Sequence, residues 1–263
     1  MDKFRAWFDE YVTRCYGEDK SVNANLKLKE QHSRRTCEEM LYLAEELDLD
    51  ENQKRVAEVT ALFHDVGRFE QFVKYHTYND LRSVNHCLLG VDVLRRAKVL
   101  DSVNEPEKEI IEKAIEYHGL KELPKDLDGE TLLFSKLLRD ADKLDILYVE
   151  VEFHRQYRAN PQGFMLELEF PDRPEFSAEV VEDVLGGRRV DYSKLRTLND
   201  MKLLQLGWVY DVNFTATLRR MRRRKLLEML LDFLPPTADI EKLRKSILGF
   251  VDFRIEARAK GRT

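Results

Sequence analysis

The side chains best suited to chemistry in this chain are histidines and aspartates placed against apolar, helix-like patterns. His64 and Asp65 stand side by side at the end of the apolar run ALF, while His32 and His118 continue the apolar stripes of their own segments. A polar side chain that points into a protein interior is costly unless it finds a partner. Because imidazole and carboxylate groups together bind divalent Zn, Mn, Fe, Co and Ni, the pattern indicates a buried metal site.

Two further polar residues extend this set. His86 lies at the edge of an apolar stripe, and Asp142 follows Leu138 by one helical turn. A single inward histidine is most often a hydrogen-bonded core residue. When several segments each present an inward His or Asp, a shared cation can act as the partner of all these polar groups. Adjacent helical side chains diverge by about 100°. At a helix end, however, Asp65 can turn toward the ion that His64 binds, and hold one ion or bridge two.

Segments with apolar residues at three- and four-residue spacing predict the helices that carry these groups. They run from about 29 to 47, from 56 to a stop near Gly67, across 84–94, from 111 to Gly119, and from 133 past 148. Gly67 and Gly119 are expected to end their helices, since glycine is favoured just after a helix. Gly90, one turn after His86, either leaves space beside that ring or allows close helix packing.

The second half of the chain has a different pattern. Prolines and a glycine surround the alternating segment FMLELEF at 164–170, which predicts a short strand or an extended loop. Further helices are predicted around 176–186, around 199–233 and after Pro236. We therefore expect an all-α protein with a helical domain at 1–160 and a C-terminal helical extension at 161–263.

Composition and charge restrict the class of protein. The formal net charge of -5 gives no bulk attraction to a polyanion, so nucleic acid is not expected as a partner. No apolar run approaches the roughly 20 residues of a membrane span, and the amphipathic start MDKFRAWFDEYV is unlike a signal peptide. Cys15, Cys37 and Cys87 are isolated and odd in number, which fits a reducing compartment. We expect a cytoplasmic protein with no membrane partner, and a homo-oligomer is left open.

The order of the metal-ligand candidates resembles the H…HD…D pattern of the HD superfamily of metal-dependent phosphohydrolases. The pattern falls on His32, His64, Asp65 and Asp142, within residues 25–150. The resemblance implies that the domain at 1–160 is an HD-domain helical bundle that binds a divalent metal. One or two ions of Mn, Fe, Co, Ni or Zn are implied, with Mg as a further candidate.

Two more histidines are similar to those of family members with dinuclear sites. His86 and His118 match the additional histidines in order, so Asp65 would bridge two ions. One ion would then be held by His32, His64 and Asp142, and the other by His86 and His118. The alternative is that His86 and His118 line the pocket and contact phosphate. Gly119 departs from the HH or HN that many members show at this point.

The resemblance implies that metal-activated water hydrolyses a phosphate ester of a small molecule, with a nucleotide as the first candidate. Asp65 and Arg68 are the predicted catalytic residues. Because phosphoryl transfer depends on positioning and charge stabilisation, Arg68, Lys74 and Arg82 are predicted to bind the substrate phosphate. For Lys74, Arg82 and His76, an exposed loop position is the alternative.

Two other functions remain open. An HD-type di-iron oxygenase would use the same ligand pattern, and a non-catalytic nucleotide-binding or sensing protein would bind a ligand without turnover. Asp145 shares a helix face with Asp142, where it would either orient a ligand or remain a surface charge. His154 and the basic run at 218–225 are expected on solvated helix faces.

Overall fold

The computed structural model describes residues 1–127, 129–160, 170–259 and 261. These residues form twelve α-helices and no β-strand, which confirms the all-α prediction. The helices are α1 (Asp2–Cys15), α2 (Lys20–Glu46), α3 (Glu51–Phe63), α4 (Val66–Tyr75), α5 (His86–Arg96), α6 (Glu105–Tyr117), α7 (Gly129–Ala159), α8 (Ala178–Leu185), α9 (Leu198–Gly207), α10 (Thr215–Arg223), α11 (Leu226–Asp232) and α12 (Ala238–Ala259). The predicted strand or loop at 164–170 lies outside the described residues except for Phe170.

The chain divides into two compact units, Met1–Asp145 and Ile146–Thr263. The division falls inside α7, whereas the sequence placed a domain boundary between residues 160 and 161; that boundary stays a prediction. No helix among the described residues is long and apolar enough to cross a membrane.

Side-chain caps fix where the helices of the first unit begin. Asp50 and Gln53 form a reciprocal capping box at the start of α3. The Asn85 side chain accepts a hydrogen bond from the Leu88 N–H, so α5 begins at His86 and this histidine lies in its first turn. Asn104 caps α6 in the same way, through the Glu107 N–H.

The end of α3 differs from the prediction. The helix stops at Phe63, and Gly67 lies in the first turn of α4 instead of terminating α3. A Cβ atom at Gly67 would lie 2.3 Å from the carbonyl oxygen of His86 and 2.6 Å from the nitrogen of Gly90. Gly67 is therefore required by the close approach of α4 to α5, and Gly90 serves helix packing at the same contact.

Aromatic side chains pack beneath the connection between α3 and α4. Phe63 is fully buried and makes an edge contact with Phe4 at a centroid distance of 6.0 Å. Phe69 of α4 makes an edge contact with Phe8 at 5.8 Å. Edge-to-face pairs of this kind stabilise a core beyond the area they bury. The two residues between α3 and α4, His64 and Asp65, are thus held between anchored helices.

In the second unit, the prediction of a single helix around 199–233 is wrong. Three helices, α9, α10 and α11, cover this stretch. A short 3-10 turn at Trp208–Asp211 follows α9, and Lys225 adopts a left-handed conformation with φ of 54° between α10 and α11. Buried apolar residues continue on both sides of these turns, so periodicity alone did not reveal them.

Candidate metal centre

The six residues predicted as metal ligands come together in the first unit. All are buried except Asp142, which is partly exposed. They are His32 on α2, His64 and Asp65 between α3 and α4, His86 at the start of α5, His118 directly after α6, and Asp142 on α7.

Asp65 occupies the middle of the group. It is the N-cap residue of α4, but its carboxylate makes no capping hydrogen bond and faces the histidines instead. Its Oδ2 atom lies 3.4 Å from Nε2 of His32 and 3.5 Å from Nε2 of His64. Its Oδ1 atom lies 3.5 Å from Nε2 of His86 and 3.8 Å from Nε2 of His118. Each carboxylate oxygen therefore faces its own pair of imidazoles.

The two sides of Asp65 differ in their other donors. On the Oδ2 side, Nε2 of His32 and Nε2 of His64 are 3.1 Å apart. Oδ1 of Asp142 lies 3.1 Å from the former nitrogen and 3.7 Å from the latter. On the Oδ1 side, Nε2 of His86 and Nε2 of His118 are 3.2 Å apart.

Every imidazole of the centre uses its Nδ1 atom for a fixed hydrogen bond directed away from Asp65. The acceptors are Asp145 for His32 at 2.7 Å, the Ala61 carbonyl for His64 at 2.8 Å, Asp80 for His86 at 2.7 Å and the Ile115 carbonyl for His118 at 2.7 Å. A carbonyl oxygen can only accept, so Nδ1 of His64 and of His118 carries the proton. In a neutral ring, the inward Nε2 atom is then a lone-pair donor.

This arrangement fits a bound cation. Two nitrogen lone pairs 3.1 or 3.2 Å apart repel each other unless a proton or a metal ion lies between them. Metal–nitrogen bonds of about 2.0–2.1 Å place two ligand nitrogens roughly 3.3 Å apart in a tetrahedral site. Histidines whose other nitrogen donates to a carboxylate or carbonyl are typical of metal sites. The donor set of nitrogen and carboxylate oxygen suits a divalent transition metal.

Positive charges keep the carboxylates ionised. Burial alone would raise the pKa of Asp65, but Lys29, His64, His118 and Arg68 hold it well below its ordinary value. Nζ of Lys29 donates to Oδ2 of Asp65 at 2.7 Å, and Nε of Arg68 lies 3.5 Å from Oδ1. Asp142 likewise has a pKa well below its ordinary value, because His32 and His64 outweigh the effect of burial.

The predicted phosphate-binding residues occupy different surroundings. The Arg68 side chain is 15% exposed and donates to Asp80 at 2.8 Å, to Gln71 at 3.0 Å and to the Tyr78 carbonyl. Arg68 is therefore fixed at the edge of the centre. Lys74 and Arg82 are exposed, and their predicted substrate-binding role stays a prediction. His76, also exposed, follows α4 in a left-handed conformation.

Several polar residues of the centre were not predicted. Lys29 and Arg35 lie one turn before and after His32 on α2, and Asp80 lies six residues before His86. Arg35 donates to Oδ1 of Asp145 at 2.6 Å. Asp145 is 1% exposed, so it orients His32 and is not a surface charge. The sequence signal for Lys29 and Arg35 was their position one helical turn before and after His32, a predicted metal ligand.

Cys87 was treated as an isolated cysteine, but it lies beside the second histidine pair. Its Sγ atom lies 3.3 Å from Nε2 of His86 and 3.6 Å from Nδ1 of His118. Burial alone would raise the pKa of the thiol, but His118 and His86 lower it to about 5. One donor atom from each of His86, Cys87 and His118 lies within 4.8 Å of the other two.

Two polar features of the second unit, His154 and the basic run at 218–225, have different surroundings in the structure. The expected solvated position of His154 is wrong, because the residue is 5% exposed and its ring packs 5.4 Å from that of Phe233. In the basic run at 218–225, Arg222 pairs with Asp252 at 2.9 Å and also with Glu228. Arg219, Arg223 and Lys225 of the run are exposed.

Comparison with known proteins gives one match. The family model of the HD domain matches residues 30–147, which include all six ligand candidates. No curated protein and no solved structure matches the chain.

Proposed function

Because the chain contains an HD domain over residues 30–147, and HD domains are typical of metal-dependent phosphohydrolases, we propose that it hydrolyses a phosphate ester of a small molecule, with a nucleotide as the substrate class. The observation that carries the proposal is the position of Asp65. Its two oxygens face separate histidine pairs, and the cations Lys29 and Arg68 lie on either side of it.

The residues would hold two ions. His32, His64 and Asp142 would bind one, His86 and His118 the other, and Asp65 both. A bound divalent ion supplies a Lewis acid that lowers the pKa of water to about 7 in favourable cases. Nδ1 hydrogen bonds keep the imidazoles oriented for this task before any ion arrives.

The protein itself would bind and neutralise the phosphate. Phosphoryl transfer depends mainly on positioning and on stabilising negative charge. Lys29 reaches Asp65 from α2 with a side chain 16% exposed, and Arg68 is fixed by Asp80 and Gln71. These two cations are therefore our candidates for contacts with the phosphate oxygens. They support an anionic substrate, which favours a phosphohydrolase over a di-iron oxygenase with the same ligand pattern.

The test is phosphate release from a panel of nucleotides and sugar phosphates. The chelated full chain would be reloaded in turn with Mn, Co, Ni, Zn, Fe and Mg. We expect metal-dependent release that falls at least about a hundredfold in Asp65→Ala, since even the loss of an outer hydrogen-bond partner of a metal ligand costs 10–100-fold. Asp92→Ala, which removes an exposed carboxylate on α5, is the matched control and should retain activity. Circular dichroism would verify that both variants stay helical.

Other outcomes identify the competing functions. Normal turnover in Asp65→Ala would contradict the proposed mechanism. Oxygen consumption by the iron-loaded protein without phosphate release would support the oxygenase. A nucleotide that binds and is recovered unchanged would support a sensing protein.

A further inference from the structure

Arg68 is held in place through one nitrogen of its guanidinium group. Nη1 donates to Oδ1 of Asp80 at 2.8 Å, to Oε1 of Gln71 at 3.0 Å and to the carbonyl oxygen of Tyr78. Within the part of the chain that the structure describes, Nε of Arg68 is buried and has no hydrogen-bond partner. Oδ1 of Asp65 lies 3.5 Å from this atom, beyond the distance of a normal N–H···O hydrogen bond. A buried donor without a partner is costly, which indicates that a ligand can complete it.

The edge formed by Nε and Nη2 is the part of an arginine that best binds oxyanions. These two atoms form a planar fork that matches two oxygens of a carboxylate or a phosphate. In this protein, Arg35 donates from both atoms to Asp145, at 2.6 and 3.0 Å, and Arg95 donates from both to Glu112, at 2.9 and 2.5 Å. Among the described residues, Arg68 donates from neither atom, so its fork is open.

Asp80 connects this open fork to a predicted metal ligand. Its Oδ1 atom accepts hydrogen bonds from Nη1 of Arg68 at 2.8 Å and from Nε2 of Gln71 at 2.9 Å. Its Oδ2 atom faces Nδ1 of His86 at 2.7 Å. Gln71 is fully buried, so Asp80 has a fixed support even though its own side chain is 32% exposed. One carboxylate therefore orients both the guanidinium group and the imidazole.

The two sides of Asp65 differ in this respect. On the Oδ2 side, Asp145 also connects a histidine, His32, to an arginine, Arg35. There the carboxylate occupies both Nε and Nη2 of the arginine, so no edge of that kind remains for a ligand. On the Oδ1 side, Asp80 takes Nη1 of Arg68 and leaves the fork unoccupied. The same three residue types thus form a closed arrangement on one side and an open one on the other.

We propose that Arg68 binds an oxyanion of the substrate through Nε and Nη2, and that Asp80 is the positioning residue that holds this edge beside Oδ1 of Asp65. The proposal rests on the phosphohydrolase function proposed above and deepens it. It assigns the substrate phosphate to the side of Asp65 that faces His86 and His118.

Binding of inorganic phosphate tests the role of Arg68 without an activity assay. The full chain would be saturated with Mn, and bound phosphate and bound metal would be measured together by equilibrium dialysis. Arg68→Lys keeps the positive charge but removes the fork. We expect its phosphate affinity to fall at least about tenfold at unchanged metal content, because a charge-assisted hydrogen bond is lost. Arg95→Lys removes the fork that holds Glu112 and should bind phosphate as the wild type does.

The sign of the change tests the role of Asp80. By charge alone, removing a carboxylate beside an anion site should strengthen phosphate binding. If Asp80 positions Arg68, Asp80→Ala should instead weaken phosphate binding at saturating metal. The same change made in Arg68→Lys should not weaken it further, because Asp80 acts through the fork that this variant already lacks. A general loss of structure would weaken binding in both backgrounds, and circular dichroism would check the helicity of each variant.

The outcomes separate this proposal from the function on which it rests. Equal phosphate affinities in Arg68→Lys and Arg95→Lys would overturn the role of Arg68, even for an Asp80→Ala protein that does not fold. Stronger phosphate binding in Asp80→Ala, or an equal loss in both backgrounds, would overturn the role of Asp80. Metal-dependent phosphate release from the substrate panel decides the proposed function independently, so that function can hold when either role fails.

Discussion

At the residue scale, each imidazole of the centre is oriented by the nitrogen that faces away from Asp65. For His64 and His118 the acceptor is a backbone carbonyl three residues earlier, so the helix itself fixes the ring. For His32 and His86 it is a carboxylate, Asp145 or Asp80. A carboxylate acceptor makes an imidazole a stronger ligand than a carbonyl does, because it stabilises positive charge on the ring.

Asp145→Asn tests the value of such an acceptor. The asparagine keeps the shape but loses the charge that Nδ1 of His32 and the Arg35 guanidinium share. We expect metal affinity on the His32 side to fall 10–100-fold, measured by calorimetric titration of the chelated protein. Asp92→Asn makes the same chemical change at an exposed position and should bind metal as the wild type does. Equal affinities in the two variants would contradict the role of Asp145.

The sequence predicted the side chains that converge on the centre, because inward histidines on apolar stripes are unusual. It did not identify Lys29, because a lysine at one turn from a buried residue looks like any solvated helix position. Cys87 was missed for a related reason. Adjacent side chains on a helix diverge by about 100°, so a thiol next to His86 was not expected to approach the same ring nitrogen.

At the element scale, the break between α3 and α4 places His64 and Asp65 where both can face the histidines. Apolar spacing predicts α3 itself, but the expectation that Gly67 ends this helix is wrong. Glycine ends many helices, yet it also permits two backbones to approach closely, and spacing along one segment does not distinguish these uses. At Gly67 the second use applies, because the partner backbone belongs to α5.

Gly67→Ala tests this contact. The methyl group would overlap the His86 carbonyl, so we expect the free energy of unfolding to fall by about 1–3 kcal/mol, the usual cost of overpacking. Gly249→Ala on α12 is the matched control, because a Cβ atom there meets nothing within 4 Å. Alanine should stabilise that helix by about 0.5–1 kcal/mol. Urea unfolding of both variants gives the comparison, and an unchanged stability of Gly67→Ala would contradict the packing argument.

At the scale of the whole molecule, a buried histidine in the second unit, His154, affects acid stability. Burial lowers the pKa of His154 to about 3, and the positive charges of Lys202 and Arg158 act in the same direction. The folded protein therefore keeps His154 neutral at pH values where the unfolded chain, with an ordinary histidine pKa of about 6.5, takes up a proton.

The sign of the effect follows from proton binding. Between about pH 3 and 6.5 the unfolded state binds one more proton at His154 than the folded state, so the free energy of unfolding falls as pH falls, by up to about 1.4 kcal/mol per pH unit. His154→Gln should remove this contribution. Urea unfolding of chelated wild type and variant from pH 5 to 7.5 measures it, and parallel pH profiles would show that His154 does not titrate as proposed.

The organisation of the whole chain was predicted less completely than the centre. The all-α class followed from composition and periodicity. The turns between α9, α10 and α11 were missed because the apolar pattern passes through them, and the burial of His154 was missed because its neighbours Glu152 and Arg155 are polar. The second error concerns a contact with Phe233, a residue distant in sequence, which a local pattern does not report.

The close approach at Gly67 also limits which residues this position accepts. A Cβ atom there would lie 2.3 Å from the carbonyl oxygen of His86, and Asp65 lies two residues earlier in the chain. A larger side chain would therefore push α5 away from α4 and move His86 relative to Asp65, although Gly67 has no donor atom in the centre. The residue that sets the separation of these two side chains is thus one that has no side chain itself.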